Sequence, residues 1–393
     1  MKTLLFVTTE PSLTGAPLYL LNHLRQLKTV SDYNYIIIFI HKTNGITDEF
    51  KKIATVYFWE DILSCGFKLN KLARFIHSKT IRKSDFFNRF VFRLFHALYL
   101  KKHNIVSVIA NSSTIDDKLL HYLKGSISVP VIMIVHEGEK LLREFNKDGT
   151  IDTNFANSDR FIAVSEYLKN ILIDIYKVKK EITVITGAVG AHSLEGISSE
   201  HVTIPNIPLN AKVVMSSGWL SWHKGADFFI QIAIQVLKSH PDVHFCWVGD
   251  ASTVKDLEQF NFDIEKAEIT ANIHHIASNS TPLNYFNRAD IFLMLSRNES
   301  FSLVTIEACS LRKPVLCFEK VGGPNEILNH DSQLILPYGN TNMLSKKIVE
   351  LLENDKLRQE IGKVLFDRVT QKYTLEKTSL QFQEILNSTP KAR

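Results

Sequence analysis

Hydrophobic residues along this chain fall into short runs separated by longer stretches with a helical period. The runs are rich in Val, Ile, Leu and Phe, as in "YIIIFI" and "VPVIMIV", and most end in polar or turn-forming residues. Alternation of buried strands with helices predicts βαβ units and a mostly parallel sheet. The predicted fold class is therefore α/β, with doubly wound, Rossmann-like sheets.

Two groups of six runs have the composition of buried strands, one group in each half of the chain. They are 3–8, 35–40, 106–110, 131–135, 161–164 and 183–185, followed by 212–216, 244–248, 273–276, 291–295, 314–318 and 333–336. Between the groups, 191–208 is rich in Gly, Ser and Pro and has neither hydrophobic period, which predicts a linker. We expect domains at 1–190 and 209–372, and a C-terminal helix at 373–393 that could return to the first domain. Two such domains facing each other would form a cleft at the carboxyl ends of both sheets, where open α/β sheets bind ligands.

Composition and charge narrow the class of protein. A chain of 393 residues with 45% hydrophobic and 22% charged residues is typical of a soluble protein with two globular domains. The apolar runs are far shorter than the ~20 residues of a membrane-spanning helix, and 4–7 is too short for a signal peptide. We therefore expect a cytoplasmic protein. The four cysteines lack metal-ligand spacing, which favours buried thiols over a zinc site.

Candidate chemistry begins after the strand at 291–295, in "SRNESFSLVTIEACSLRKPV". Glu299 falls in a polar turn and Glu307 in a helix that starts near Leu303. The unpaired N–H groups predicted at Ser302, Leu303, Val304 and Thr305 would form an anion site at the carboxyl edge of the sheet. Carboxylates beside a phosphate site suit a nucleotide-sugar, because they accept hydrogen bonds from hydroxyls. The alternatives are two solvated glutamates, or a glycosidase acid/base pair.

The same residues resemble a known family. "ESFSLVTIE" is similar to the E-x7-E signature of retaining glycosyltransferases of the GT-B fold, most closely glycosyltransferase family 4, and the similarity extends over 282–327 with the Gly322–Gly323 loop. The resemblance implies that Glu299 contacts the donor sugar and Glu307 the ribose hydroxyls. It also implies that backbone amides near Leu303 and Val304 hold the β-phosphate.

Other parts of the family pattern are present with one departure. Lys224 matches the lysine that binds the donor diphosphate, but Trp219 replaces the usual arginine, and His223 is the candidate substitute. Gly15 matches a glycine whose backbone approaches the donor phosphate, and a helix-capping glycine is the alternative. His136, at the end of a buried strand, resembles the residue near the sugar C6 hydroxyl, and a core or capping histidine is the alternative.

The segment 68–103 combines basic and aromatic residues. It has ten Lys or Arg residues and one acid, Asp85. Phe86 to Leu100 has the period of an amphipathic helix, with Arg89, Arg93 and His96 on one face and Phe87, Val91, Leu94 and Leu98 on another. The segment predicts either contact with an anionic membrane surface or a surface helix packed on its own sheet. No nucleic-acid motif accompanies it, so we predict no nucleic-acid partner.

The predicted function is transfer of a sugar, with retention, from a nucleotide-sugar to a hydroxyl of a glycan or lipid-linked acceptor. As the resemblance implies, the reaction needs no metal and no cofactor besides the donor substrate, which we take as a UDP-sugar. Surface polysaccharide synthesis is the expected setting. The alternatives are a catalytically silent GT-B subunit that stabilises a partner transferase, and a nucleotide-sugar epimerase.

Overall fold

The chain forms two compact units. The computed structural model describes residues 1–12, 14–43, 45–63, 85–188, 202–278 and 282–388. Unit 1 comprises Met1–Thr186 with Leu375–Arg393, and unit 2 comprises Gly187–Thr374. Most of the predicted linker at 191–208 lies outside the described residues, and the C-terminal helix belongs to unit 1.

Unit 1 is built on a parallel sheet of seven strands. The strands are β1 Lys2–Thr8, β2 Asn34–Phe39, β3 Thr55–Phe58, β4 Asn104–Ala110, β5 Val131–Val135, β6 Arg160–Ala163 and β7 Ile182–Val184, in the order β3-β2-β1-β4-β5-β6-β7. The helices are α1 Gly15–Val30, α2 Thr47–Lys51, α3 Trp59–Leu63, α4 Asp85–Phe95, α5 Asp117–Ser126, α6 Glu139–Phe145, α7 Thr150–Asn157, α8 Glu166–Asp174 and the C-terminal α16 Leu375–Ser388. The central strand β1 is buried from Thr3 to Thr8, as expected of a parallel sheet covered on both faces.

Unit 2 has a parallel sheet of six strands. They are β8 Val213–Ser217, β9 His244–Val248, β10 Ile273–Ile276, β11 Ile291–Met294, β12 Val315–Phe318 and β13 Ile335–Leu336, in the order β10-β9-β8-β11-β12-β13. The helices are α9 Ala226–Leu237, α10 Val254–Lys266, α11 Pro282–Arg288, α12 Leu303–Ser310, α13 Gly323–Ile327, α14 Thr341–Glu353 and α15 Asp355–Lys372. The prediction of doubly wound parallel α/β sheets in both halves is confirmed.

One strand was not predicted. The edge strand β3 pairs only with β2, and its side chains are half-buried or exposed rather than fully buried. An edge strand needs no continuous apolar run, because it has a neighbouring strand along one edge only and is therefore less completely buried. The hydrophobic runs therefore revealed the central strands but not this one.

The basic aromatic helix differs in phase from the prediction. Val91, Phe92 and Phe95 are buried, whereas Leu98, predicted on the apolar face, is 54% exposed. The cause is a π-helical turn over His96–Leu100, where the Lys101 N–H donates to the His96 carbonyl at 2.8 Å. A wider turn rotates the following residues about the axis, so that Leu100 is buried instead. The part of 68–103 before Asp85 lies outside the described residues.

Candidate functional site

Glu299 lies in the loop after β11, at the carboxyl edge of the unit 2 sheet. Its backbone pairs with the loop after β12, since the Glu299 N–H donates to Val321 O at 2.8 Å and the Gly323 N–H donates to Glu299 O at 3.0 Å. The Ser296 hydroxyl donates to Glu299 Oε1 at 2.8 Å. Glu299 is thus held in place both through its backbone and through its carboxylate.

The Lys224 ammonium forms an ion pair with the same carboxylate oxygen of Glu299. The Lys224 side chain is 24% exposed and that of Glu299 14% exposed. Two of the residues predicted to bind the donor, from chain positions far apart, therefore meet at one sheet edge. The remaining exposure leaves the pair accessible to a ligand.

Local backbone geometry explains how Lys224 reaches this position. Gly225, directly after it and before α9, has φ +82°, a left-handed conformation that favours glycine. A Cβ at Gly225 would lie 2.3 Å from Leu295 O, so no other residue fits without a shift. The glycine lets the loop after β8 close against the end of β11.

Arg297 is a site residue that the sequence did not indicate. Its guanidinium donates to both carboxylate oxygens of Asp227, at 2.9 and 2.7 Å, and to the carbonyl of Trp222. The guanidinium carbon lies 4.1 Å from the ring centroid of Trp222 and 4.2 Å from that of Phe228. The only sequence signal was its position two residues before Glu299.

The amino terminus of α12 is partly capped. Ser302 is the N-cap, and its hydroxyl accepts from the Thr305 N–H at 3.3 Å and from the Thr305 hydroxyl at 2.8 Å. The prediction of an unpaired amide at Thr305 was therefore wrong, because the side chain before it satisfies that donor. The N–H groups of Leu303 and Val304 have no hydrogen-bond partner among the described residues. These two amides are the ones left for an anion.

Glu307 lies on the second turn of α12 and is half-buried. Its carboxyl has no ion-pair or hydrogen-bond partner among the residues that the structure describes. Burial raises the pKa of Glu307 from 4.5 to about 7, because the charged form is poorly solvated there. Glu307 is therefore the acidic group in this region that titrates near neutral pH.

The Gly322–Gly323 loop lies directly against the Glu299 loop. A Cβ at Gly323 would lie 2.6 Å from the Phe301 Cα and 2.7 Å from Ser300 O. The Asn325 side chain holds this loop, accepting from the Val321 N–H at 3.1 Å and donating to Phe318 O at 2.8 Å. The close approach explains why glycine occupies position 323.

The unit 1 candidates meet around Asn111. Gly15 is the first residue of α1, and a Cβ there would have no neighbour within 4 Å. The buried Asn111 donates to Ala16 O at 3.1 Å and accepts from His136 Nε2 at 3.0 Å. Asn111 thus links the start of α1 to the end of β5, and the sequence did not single it out.

His136 is held neutral in this arrangement. Its ring lies edge-on to Tyr19, with centroids 4.9 Å apart. Burial lowers the pKa of His136 to about 4, although the neighbouring Glu137 carboxylate opposes the shift. The Nε2–H donor toward Asn111 leaves Nδ1 as the acceptor nitrogen.

Glu137, next in sequence, is buried, and its carboxylate is hydrogen-bonded to neighbouring residues of unit 1. Its carboxylate accepts from the Ser112 hydroxyl at 2.5 Å, the Ser113 hydroxyl at 2.6 Å, the Ser113 N–H at 3.1 Å and the His136 N–H at 3.2 Å. With four donors and 9% exposure, it ties the loop after β4 to the end of β5. This buried carboxylate shapes the surroundings of His136.

His223 and Trp219 flank Lys224 in the loop after β8. The His223 carbonyl accepts from the Arg297 N–H at 2.9 Å, and the His223 side chain is half-buried. Trp219, where the family pattern has arginine, is 48% exposed. The structure places both beside Lys224 and assigns neither a ligand.

The described residues show neither a metal-binding cluster nor a membrane-spanning helix. They contain no group of three or more His, Cys, Asp or Glu side chains arranged to hold a metal ion. No helix among them is long and apolar enough to cross a membrane.

Comparison with known proteins finds one family that is similar to most of unit 2. The family model "Glycosyl transferases group 1" matches residues 198–364. Residues 198–364, less than half of the chain, are therefore similar to the glycosyl transferases group 1 family. The domain that matches this family contains Lys224, Glu299 and Glu307, together with the α12 amino terminus.

Similar proteins extend the comparison beyond this domain. An uncharacterized glycosyltransferase of Methanocaldococcus jannaschii is 27% identical over 250 residues, 61% of this chain and 63% of that protein. The capsular polysaccharide biosynthesis glycosyltransferase CapM of Staphylococcus aureus is 26% identical over 225 residues, 54% of this chain and 57% of CapM. The chain thus spans less than two thirds of the length of these relatives.

A solved structure matches the whole fold. Anabaena HepE, determined in complex with UDP, superposes with a TM-score of 0.73 at 17% identity, covering 98% of this chain and all of HepE. The fold class predicted from the sequence, GT-B with two Rossmann-like units, is confirmed.

Proposed function

We propose that this protein is a retaining glycosyltransferase that moves a sugar from a nucleotide-sugar to a hydroxyl of a glycan or lipid-linked acceptor. The observation that carries the proposal is the meeting of Lys224, Glu299 and the α12 amino terminus at one sheet edge of the family domain. A UDP-sugar is the first donor to test, since HepE was solved with UDP. Surface polysaccharide synthesis is the setting suggested by the similarity to CapM.

The proposed mechanism depends on charge at the leaving diphosphate. Lys224 and the amides of Leu303 and Val304 would stabilise the negative charge that grows there in the transition state. Glu299 would accept hydrogen bonds from the sugar hydroxyls, and Glu307 from the ribose hydroxyls. The leaving phosphate would take the acceptor proton, so no protein base and no metal enter the proposed reaction.

Unit 1 would hold the acceptor side of the reaction in this proposal. Gly15 offers open space at the start of α1, and His136 presents a neutral ring linked to it through Asn111. A neutral imidazole suits a hydrogen bond from a sugar hydroxyl better than a cation does, because it keeps an acceptor nitrogen. We further propose peripheral contact of α4 with an anionic membrane at the cytoplasmic face.

The test is a screen of nucleotide-sugars for release of free nucleotide, with Glu299→Gln as the critical variant. We expect Glu299→Gln to lose transfer by on the order of 100-fold while keeping the fold, because the amide cannot pair with Lys224 or accept as strongly. Glu319→Gln is the matched control, since this glutamate at the end of the same sheet is 45% exposed. Full turnover by Glu299→Gln would refute the role of Glu299.

A second candidate is a catalytically silent subunit that stabilises a partner transferase. The presence of Trp219 where the family pattern has arginine favours it, because one cation of the expected diphosphate pair is missing. Calorimetry with UDP and other nucleoside diphosphates separates the two. Absence of binding to all of them would support the silent subunit.

A further inference from the structure

Among the described residues, the Arg297 side chain makes its hydrogen bonds, its ion pair and its ring contacts with the segment 222–228, which contains Lys224. The guanidinium carries a bidentate ion pair to Asp227, stacks between Trp222 and Phe228, and donates to the Trp222 carbonyl. The side chain is only 11% exposed. The Arg297 backbone N–H adds a bond to His223 O at 2.9 Å.

These contacts bracket Lys224 on both sides in sequence. Trp222 and His223 precede it, and Asp227 and Phe228 lie in the first turn of α9. Arg297 itself is two residues from Glu299, the partner of Lys224. Arg297 therefore connects the two loops that carry the two halves of this ion pair.

We propose that Arg297 is a positioning residue that fixes the loop 219–225, so that the Lys224 ammonium is held at Glu299 and at the donor diphosphate. The second part rests on the proposed function. Because Trp219 replaces the arginine of the family pattern, the proposed site places one lysine on the diphosphate, and its activity depends on where that lysine is held. A misplacement of about 1 Å can cost on the order of 100-fold in rate.

The contacts of Arg297 with Asp227 and with the two aromatic rings require an arginine side chain. A planar guanidinium makes two parallel bonds to a carboxylate and stacks on aromatic rings, whereas a lysine ammonium is a point charge that does neither in the same way. Its position between two rings also keeps the Arg297 side of the pair with Asp227 largely away from solvent. Lysine at position 297 would keep the positive charge but would lose both the paired hydrogen bonds to Asp227 and the stacking on the two rings.

Loop geometry can be measured without substrate through Trp222. The chain has four tryptophans. Trp59 and Trp247 are buried, whereas Trp219 and Trp222 are 48% and 58% exposed. In a Trp219→Phe background, quenching of fluorescence by acrylamide therefore reports mainly on Trp222. We expect Arg297→Met to increase this quenching, because one ring face of Trp222 loses its cover.

Kinetics provide the functional half of the test. Arg297→Met should lower kcat/KM for the donor by about 10- to 100-fold with a raised donor KM and an unchanged acceptor KM. Arg297→Lys should give an intermediate loss, and Asp227→Asn should reproduce the Arg297→Met pattern. The matched control is Arg312→Met, which removes a guanidinium stacked 4.5 Å from the ring of Phe366, away from Lys224.

The outcomes separate positioning from a general effect on folding. Unchanged quenching together with unchanged donor KM in Arg297→Met would overturn the proposal. So would a fall in kcat that only follows the loss of folded protein, with the same fall in Arg312→Met. If wild type binds no nucleotide, the proposed function fails, and the quenching experiment still decides whether Arg297 fixes the loop.

Discussion

Glu299 and Glu307 belong to one loop and helix but have opposite surroundings. Glu299 has a cation and a hydroxyl as partners, so its carboxylate is compensated before any ligand arrives. Glu307 has no partner among the described residues, and burial raises its pKa to about 7. The ionisation of Glu307 should therefore change near neutral pH.

The first prediction concerns nucleotide binding and pH. If ribose hydroxyls donate to ionised Glu307, binding must release the proton that the free carboxyl holds, so affinity for UDP should increase about tenfold between pH 6 and pH 8. Calorimetry in buffers of different ionisation enthalpy measures the released proton. Glu307→Gln is the matched control, since it removes the proton release from Glu307 and leaves only the titration of the UDP phosphate.

The same shift has a consequence for stability. The pKa of Glu307 is higher in the folded protein than in the unfolded chain. The contribution of Glu307 to the free energy of unfolding therefore declines as pH rises from about 4.5 through 7. Glu307→Gln should therefore raise the unfolding midpoint more at pH 8 than at pH 5. An equal effect at both pH values would contradict the assigned environment.

At the scale of elements, the helices α1 and α16 are joined by a buried histidine. His23 donates from Nδ1 to Tyr19 O at 2.8 Å, and its Nε2 accepts from the Thr378 hydroxyl at 3.0 Å. Burial lowers the pKa of His23 to about 4. Since the unfolded chain binds this proton near pH 6.5, acid destabilises the packing of these helices.

The second prediction follows from the depressed pKa of His23. Its folded pKa is below the unfolded value, so stability is lost as pH falls from about 6.5 to 4. We expect the free energy of unfolding of unit 1 to drop by about 2–3 kcal/mol from this group between pH 7 and pH 4.5. Chemical denaturation monitored by hydrogen exchange in α1 measures it, and the His23→Gln variant should show a correspondingly weaker pH dependence.

The third prediction concerns the exposed side of α4. Phe90 and Leu98 are 58% and 54% exposed, beside the exposed Arg89 and Arg93. We expect binding to vesicles that contain phosphatidylserine, weakened about fivefold by Arg93→Gln and by added salt. Co-sedimentation measures the binding, and Phe90→Ser should weaken it as well. Val364→Ser, at an exposed apolar residue of unit 2, is the control, and equal binding by all variants would argue against a membrane face.

Hydrophobic runs predicted the central strands because those strands are buried on both faces. They missed β3, an edge strand, and placed Leu98 on the wrong side of its helix, because a π-helical turn changes the period. Motif similarity brought Lys224 and Glu299 to the same site. It could not reveal Arg297 or Asn111, because each contacts residues distant in sequence. Asp227 is 70 residues from Arg297, and Ala16 is 95 residues from Asn111. Contacts between residues so far apart leave no recognisable pattern in the local sequence.

At the scale of the whole molecule, the chain leaves unit 1 after Thr186 and returns to it at Leu375. Unit 2 is continuous in sequence, whereas unit 1 is assembled from both ends of the chain. The contacts of α16 with α1, including His23 with Thr378, close unit 1. We therefore expect unit 1 to depend on these C-terminal residues more than unit 2 does.

The fourth prediction tests this dependence. Removal of 375–388 should expose the α1 face that contains His23 and speed hydrogen exchange in α1 and β1, while exchange in β8 and β11 of unit 2 stays as in the intact chain. Hydrogen-exchange mass spectrometry measures both units in one experiment. Equal acceleration in both units would show that α16 supports the whole molecule rather than unit 1.

The return of α16 also sets an order for synthesis. A ribosome makes residues 187–374 before it makes Thr378, so all of unit 2 has been synthesised while His23 still lacks its partner. Until the last helix emerges, His23 on α1 lacks both the Thr378 hydroxyl and the neighbouring ring of Phe382. The half of the protein that is translated first is therefore the half that is finished last.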